Sequence, residues 1–206
     1  MTKDDLIQSI IDIEWRMFQN VRNAGGRAPC QDDRHTFSIM RKGQAESWSE
    51  AALDSYLQDL NRAEKTDRNL MTEKYARMMR STSPLEYRQI EHLLPSLTAE
   101  ANEYIEKILP IVLEWEMELL GKYPAILKQG RPIHSSDDSL FVTSLETYLK
   151  SELSTYSTLT LKLCWEHVSL QKEHNINGSE ITLLHTIRNY GYQTLAEANE
   201  KLDRPQ

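Results

Sequence analysis

The sequence predicts an all-α protein, a single domain of about ten helices spanning residues 1–206. Apolar residues recur at steps of three and four, the spacing of one helix face, and no segment shows the alternation expected of a β-strand. The order of motifs in the first half also returns in the second half. A chain of 206 residues can hold one core or two halves that share a core. We therefore predict two pseudo-symmetric helical halves that arose by internal duplication.

The composition excludes several classes of protein. A formal charge of -7 without a basic stripe argues against a nucleic-acid partner, which needs clustered Lys and Arg to neutralise phosphates. No stretch is apolar enough to span a bilayer, and the first residues do not form a signal peptide. Two cysteines provide no disulfide framework, so a reducing cytoplasm is the expected location. These totals predict no particular cofactor and no oligomeric state.

A Gly-Arg loop followed by two aspartates occurs twice. The copies are Gly26-Arg27 to Asp32-Asp33 and Gly130-Arg131 to Asp137-Asp138, and each follows a Glu-Trp-x-Met segment that starts at Glu14 or Glu114. Aligning residues 37–69 with 145–177 without gaps pairs Gln44 with Glu152, Trp48 with Tyr156 and Ser49 with Ser157. This alignment is the basis of the predicted duplication.

The first half, about residues 3–80, consists of helical stripes with polar residues at their centres. Residues 3–23 form one stripe with Glu14 in the middle, and residues 36–47 form a second with Gln44 in the middle. Ser49 is a predicted N-cap of the next helix, and residues 70–79 form another. A carboxylate on a core stripe must find donors or take up a proton, so Glu14 is a candidate site residue or a structural glutamate.

The second half, about residues 98–192, follows a connector at 81–97 that is broken by prolines. Its long first helix is expected to bend at Pro110. The remaining predicted helices lie near residues 144–155, 158–174, 179–190 and 194–203. Glu152 occupies the centre of the first of these stripes, as Gln44 does in its counterpart.

The duplicated loops predict a cleft for a small polar or anionic metabolite, which the protein binds or transforms. Arginine provides a planar fork for carboxylate or phosphate, and carboxylates can move protons. The predicted acid–base residues are Glu14, Glu152, Asp33 and Asp138. The predicted ligand-binding residues are Arg27, Arg131, Gln31, Gln44, Trp48 and Tyr156. The competing interpretation is structural: one aspartate of each pair caps a helix, and the arginines tie their own loops to Glu14 and Glu114.

Two further alternatives remain open. A non-catalytic interaction module would use the polar network only to fix the packing of the two halves. A metal-dependent enzyme would use Glu14, Glu114, Glu146 and Glu152 with His134, although the absence of any Glu-x-x-His pair argues against a ferritin-like centre. Cys30 is the one plausible nucleophile, and Cys164 resembles a buried thiol.

Four segments resemble a known family. They are residues 25–33 (Gly-Gly-Arg-x-x-Cys-Gln-Asp-Asp), 70–79 (Leu-Met-Thr-Glu-Lys-Tyr-Ala-Arg-Met-Met), 130–132 (Gly-Arg-Pro) and 146–157 (Glu-Thr-Tyr-Leu-x-x-Glu-Leu-Ser-Thr-Tyr-Ser). These segments are similar to the bacterial family called domain of unknown function 4125. The resemblance covers nearly the whole chain and implies a bacterial single-domain protein of about this length. It implies no mechanism and no catalytic residues.

Overall fold

The computed structural model describes residues 1–22 and 26–204, and within these residues the chain forms eleven α-helices and no strand. The all-α prediction is confirmed. The helices are α1 (Lys3–Gln19), α2 (Arg34–Glu46), α3 (Glu50–Lys65), α4 (Leu70–Thr82), α5 (Pro84–Ile90), α6 (Ala99–Lys122), α7 (Pro124–Leu127), α8 (Leu145–Leu153), α9 (Thr158–Glu173), α10 (Gly178–Asn189) and α11 (Leu195–Asp203).

Side-chain caps decide where most of these helices begin. A residue with a short polar side chain precedes each of nine helices and accepts a hydrogen bond from a backbone N–H of the first turn, which that turn cannot satisfy internally. These caps are Thr2, Asp33, Ser49, Asn69, Thr98, Ser144, Ser157, Asn177 and Thr194. The predicted cap at Ser49 and its aligned counterpart Ser157 are among them.

One pair of corresponding helices in the two predicted halves, α3 and α9, matches in length and in the backbone that follows it. Helices α3 and α9 both have 16 residues. After each helix the chain turns through a residue with a φ of 56°, Asp67 in the first half and Asn175 in the second. Helix α2 of the first half packs against α10 of the second, and α4 packs against α8, so the two halves pack against each other through both pairs. These correspondences support the duplication, which remains a prediction.

The main core lies between the two halves. Leu53, Leu60, Ile105 and Leu161 are almost fully buried there, and they come from α3, α6 and α9. A smaller cluster joins α7, α10 and α11 through Ile126, Ile187, Leu195 and Ala198. No helix in the described part of the chain has the length and hydropathy that a membrane span requires.

Two details differ from the sequence-based expectations. Helix α1 ends at Gln19, whereas the predicted end at Asn23 lies outside the described residues, as does the Gly25 of the first loop. Met40, which helical spacing places on the predicted stripe of residues 36–47, is 52% exposed and lies at the cavity described below. Pro110 lies inside α6, a helix of 24 residues, as expected, and the bend there remains a prediction.

Candidate functional site

The candidate site is built around the buried side chain of Arg41 on α2. Its Nε donates to Oε2 of Glu14 at 2.7 Å, and its Nη2 donates to the other oxygen of the same carboxylate. Glu14 is completely buried on α1, where the hydroxyl of Tyr56 also donates to it at 2.7 Å. The two-pronged contact between guanidinium and carboxylate holds α1 against α2.

The same guanidinium also reaches the second half of the chain. Its Nη1 donates to Oε1 of Glu152 on α8 at 2.8 Å and to Oε1 of Gln44 at 2.7 Å. The hydroxyl of Tyr156 donates to Oε1 of Glu152 at 3.0 Å, and the amide of Gln44 donates to it at 3.4 Å. Arg41 therefore connects a carboxylate of each half.

A second buried cation, Lys74, lies on the other side of Glu152. Its side chain is 2% exposed, and its Nζ lies 3.9 Å from Oε2 of Glu152. The ammonium also donates to the hydroxyl of Tyr148 at 2.9 Å and lies 4.5 Å from the centre of that ring. Among the described residues, no donor is within hydrogen-bond distance of Oε2 of Glu152.

These charges set the protonation of the buried groups. Burial alone would raise the pKa of Glu152, but the positive charges of Arg41 and Lys74 outweigh it and lower the pKa to about 2. Burial raises the pKa of Tyr56 and Tyr156 well above the usual value, and the neighbouring glutamates act in the same direction. At neutral pH the cluster therefore holds an ionised Glu152 and two neutral phenols.

The cluster forms part of the wall of a central cavity of about 620 Å³. We use this name for the space lined mainly by α2, α4, α6, α8, α9 and α10, together with residues of both Gly-Arg loops. Most of its lining is apolar or aromatic, and Arg41, Gln44 and Glu152 contribute polar groups. The volume lies within the range of sites that hold small organic molecules.

Glu116 on α6 is a further carboxyl group in the lining of the central cavity. It is half-buried, and the described residues form no ion pair with it. Burial raises its pKa, and a side-chain hydrogen bond with Ser179 only partly offsets this effect. Glu114, the glutamate considered from the sequence, is exposed and pairs with Lys172 at 2.7 Å. Glu116 could have been identified from the sequence by its position one turn after Val112, on the inward face of α6.

Comparison with protein families identifies the chain over nearly its whole length. The model of a family described as "Protein of unknown function (DUF4125)" matches residues 4–200. The chain belongs to the DUF4125 family. This confirms the family resemblance noted in the sequence. Searches of curated proteins and of solved structures found no match.

Five of the predicted site residues of this DUF4125 chain lie close together. Glu14, Gln44 and Glu152 share Arg41, and Tyr156 donates to Glu152. The ring of Trp48 lies 5.7 Å from the ring of Tyr156. Gln44, Trp48 and Glu152 also line the central cavity. Their roles in binding or catalysis remain predictions.

The first Gly-Arg loop uses its polar groups on itself and on the C-terminal end of α1. Arg27 donates to Asp32 at 2.9 Å and to the side chain of Gln19. The amide of Gln31 donates to the backbone oxygens of Phe18 and Val21. The expected bond from Arg27 to Glu14 is wrong, because Arg41 already occupies that carboxylate. Arg27 and Gln31 lie outside the described lining of the central cavity.

The second loop is also largely self-contained. Arg131 donates to the backbone oxygen of Thr143 at 2.8 Å and lies 5.0 Å above the ring of Tyr148, so the expected tie to Glu114 is wrong. It does line the central cavity. Asp138 accepts bonds from the Ser144 backbone and the Thr147 hydroxyl, both at 2.5 Å.

The two predicted acid–base aspartates have structural contacts. Asp33 caps α2 through the backbone N–H of Thr36 at 2.9 Å, and this bond lowers its pKa. Burial alone would raise the pKa of Asp138, but its hydrogen bonds outweigh burial and lower it. Asp33 lines the central cavity, whereas Asp138 lies outside the described lining.

The glutamates considered as metal ligands do not converge on one point. Glu14 and Glu152 are separated by the guanidinium of Arg41, and Glu146 accepts a bond from the backbone of Ser135. In the part of the chain that the structure describes, no three His, Cys, Asp or Glu side chains are grouped so that they could hold a metal ion.

Proposed function

We propose that this protein binds a small metabolite in the central cavity. The observation that carries the proposal is the cavity of about 620 Å³, whose lining combines apolar and aromatic side chains with the buried charges of Arg41 and Glu152. Sites for small molecules usually combine such an apolar wall with a few placed polar groups. The apolar body of the ligand lies against the rings, and its polar group faces polar side chains of the lining.

Chemical transformation of the ligand is a further part of the hypothesis. The expected acid–base residues were Glu14 and Glu152, helped by Asp33 and Asp138. A pKa of about 2 makes Glu152 a weak base at neutral pH, because an efficient base titrates near the working pH. The geometry therefore supports binding more directly than it supports proton transfer by Glu152.

A non-catalytic interaction module is the second candidate. It is favoured by the run of Leu140, Phe141 and Val142, which are 72%, 95% and 41% exposed. Exposed apolar groups of this kind occur at protein–protein contacts. In that hypothesis the network around Arg41 only joins the two halves.

A cytoplasmic location is also proposed, supported by the free thiols of Cys30 and Cys164.

The test is a melting-temperature screen of the purified protein against metabolites, combined with alkylation of Cys30. Cys30 is exposed and lines the central cavity, so a ligand bound there slows its alkylation. A ligand that binds only the folded protein also raises the melting temperature. We expect at least one class of metabolite to do both.

Two matched variants locate the binding site. Val168 lines the central cavity, whereas Val142 is exposed outside the described lining. Val168→Phe fills part of the cavity and should abolish the ligand-induced rise in melting temperature. Val142→Phe should leave that rise unchanged. A screen in which no metabolite protects Cys30 would contradict the proposal and favour the interaction module.

A further inference from the structure

The hydrogen bonds of Arg41 limit its use as a binding group for a ligand of the central cavity. A guanidinium has five N–H donors. Arg41 uses four hydrogen bonds on Glu14, Gln44 and Glu152, and all of these acceptors belong to the protein. Its positive charge is shared between two buried carboxylates. Arg41 is therefore poorly placed to bind an anionic ligand.

A carboxylate of the lining, in contrast, has no cation. Glu116 is half-buried at the central cavity, and the described residues give it a side-chain hydrogen bond with Ser179 but no ion pair. A half-buried carboxylate without a cation is unfavourable unless a ligand provides the missing charge. Oε2 of Glu152 is buried from solvent and faces Lys74 at 3.9 Å, so it is not open to the ligand. Glu116 therefore favours a ligand that carries a positive charge.

The aromatic lining points to the same chemistry. Phe37, Trp48, Tyr75, Trp115 and Tyr148 all contribute to the cavity wall. Aromatic rings attract ammonium groups through their negative faces, and they also cover the apolar part of an organic cation. The lysine ammonium of Lys74 already lies 4.5 Å from the ring of Tyr148, which illustrates the contact within this protein.

We infer that the ligand of the central cavity is a primary amine on an apolar body of about one or two rings, with its ammonium held by Glu116. This inference rests on the proposed function, because it assigns a chemical class to the same site. Glu116 supplies the negative charge, and aromatic side chains such as Trp115 and Trp48 cover the apolar body. Arg131 also lines the cavity, and it is the cation that an anionic ligand would bind instead.

Three probes with the same ring and similar chains separate the possibilities. They are phenethylamine, 2-phenylethanol and 3-phenylpropionate, which carry an ammonium, a hydroxyl and a carboxylate. Dissociation constants are measured by titration, and slowed alkylation of Cys30 reports where each probe binds. We expect the amine to bind at least about tenfold more tightly than the alcohol, as a charged hydrogen bond implies.

Glu116→Gln and Glu114→Gln form a matched pair of variants. Glu116→Gln should weaken phenethylamine binding by about tenfold and leave 2-phenylethanol binding within about twofold. Glu114→Gln, two residues away and exposed beside Lys172, should change neither. Because Glu116 lacks a cation in the described structure, its replacement by glutamine is expected to preserve folding, which a melting curve verifies.

The remaining outcomes separate this inference from the proposed function. Tighter binding of 3-phenylpropionate, with protection of Cys30, would overturn the amine and keep the cavity as a binding site. Amine binding that Glu116→Gln does not weaken would overturn the role of Glu116. If none of the three probes binds but another metabolite protects Cys30, the inference fails alone. If nothing in the wider screen protects Cys30, the proposed function fails with it.

Discussion

Replacing Arg41 with methionine should strongly destabilise the protein. Methionine keeps an unbranched side chain on α2 but removes the charge between Glu14 and Glu152. Removing one partner of a buried ion pair costs about 3–5 kcal/mol, since the remaining charge stays buried. Lys74 still lies near Glu152, whereas Glu14 keeps only the Tyr56 hydroxyl among the contacts described above. Glu14 should therefore account for most of the loss.

The free energy of unfolding in urea, followed by circular dichroism at pH 7, measures this loss. The control is Arg16→Met on α1, because Arg16 pairs with Glu64 at 3.0 Å but its side chain is 56% exposed. An exposed pair of this kind contributes about 1 kcal/mol or less. Adding Glu14→Gln to Arg41→Met removes the unpaired charge and should recover about 2 kcal/mol. Equal losses in Arg41→Met and Arg16→Met would refute the argument that the buried charges depend on one another.

Three further predictions address pH, close packing and thiol accessibility. Folding lowers the pKa of Glu152 from 4.5 to about 2. Its contribution of about 3 kcal/mol to the free energy of unfolding is therefore present above pH 4.5 and is lost as the pH falls towards 2. Unfolding of Glu152→Gln should accordingly depend less on pH in this range, and an identical pH dependence would count against the shift. Gly43→Ala should cost about 1–3 kcal/mol, because its Cβ would lie 2.2 Å from a threonine side chain of α10 and 3.2 Å from that helix's backbone. Gly121→Ala, with no atom within 4 Å, should be neutral or stabilising in the same urea titration. Mass spectrometry should find Cys30 alkylated in the native protein and Cys164 alkylated only after unfolding. Cys164 is buried, and burial raises its pKa to about 12. Rapid alkylation of both cysteines in the native state would contradict this prediction.

The sequence was most informative where a polar residue interrupted a helical stripe. Gln44 and Glu152 occupy such positions, and the structure brings both to Arg41. The stripe argument works because a residue at the centre of an apolar face must point inward. It also located Glu14, whose carboxylate is completely buried.

The cations of the network were missed for a physical reason. Arg41 and Lys74 have long charged side chains, and such side chains are almost always exposed. The spacing of Arg41, three residues before Gln44, placed it on the same face. Lys74 lies at helical spacing from Leu70, Met71 and Met78, so its position on the apolar face was a signal as well. Its partner Tyr148, 74 residues away, could not be read from that spacing.

The two Gly-Arg loop motifs were conspicuous in the sequence but partly misleading as a guide to the site. The Gly-Arg and Asp-Asp pairs suggested a shared pocket, but Arg27 and Asp138 form hydrogen bonds within their own loops and with the adjoining helices. A repeated loop motif can therefore reflect local folding contacts and not ligand binding. Arg131 has a local folding contact, because it donates to the backbone oxygen of Thr143, and it also lines the central cavity.

The contacts between aligned residues bear on how the candidate site arose. In a pseudo-two-fold arrangement, a residue touches its own counterpart only near the axis. Gln44 lies 3.4 Å from its counterpart Glu152, and the ring of Trp48 lies 5.7 Å from that of its counterpart Tyr156. These contacts support an axis through the network and hence the predicted duplication. Two glutamates facing each other there would repel, whereas glutamine at one position and glutamate at the other leave a single carboxylate beside Arg41 and Lys74. The predicted halves differ in their cations as well, because the residue aligned with Arg41 is Leu149, so the arginine that joins the two carboxylates comes from the first half alone.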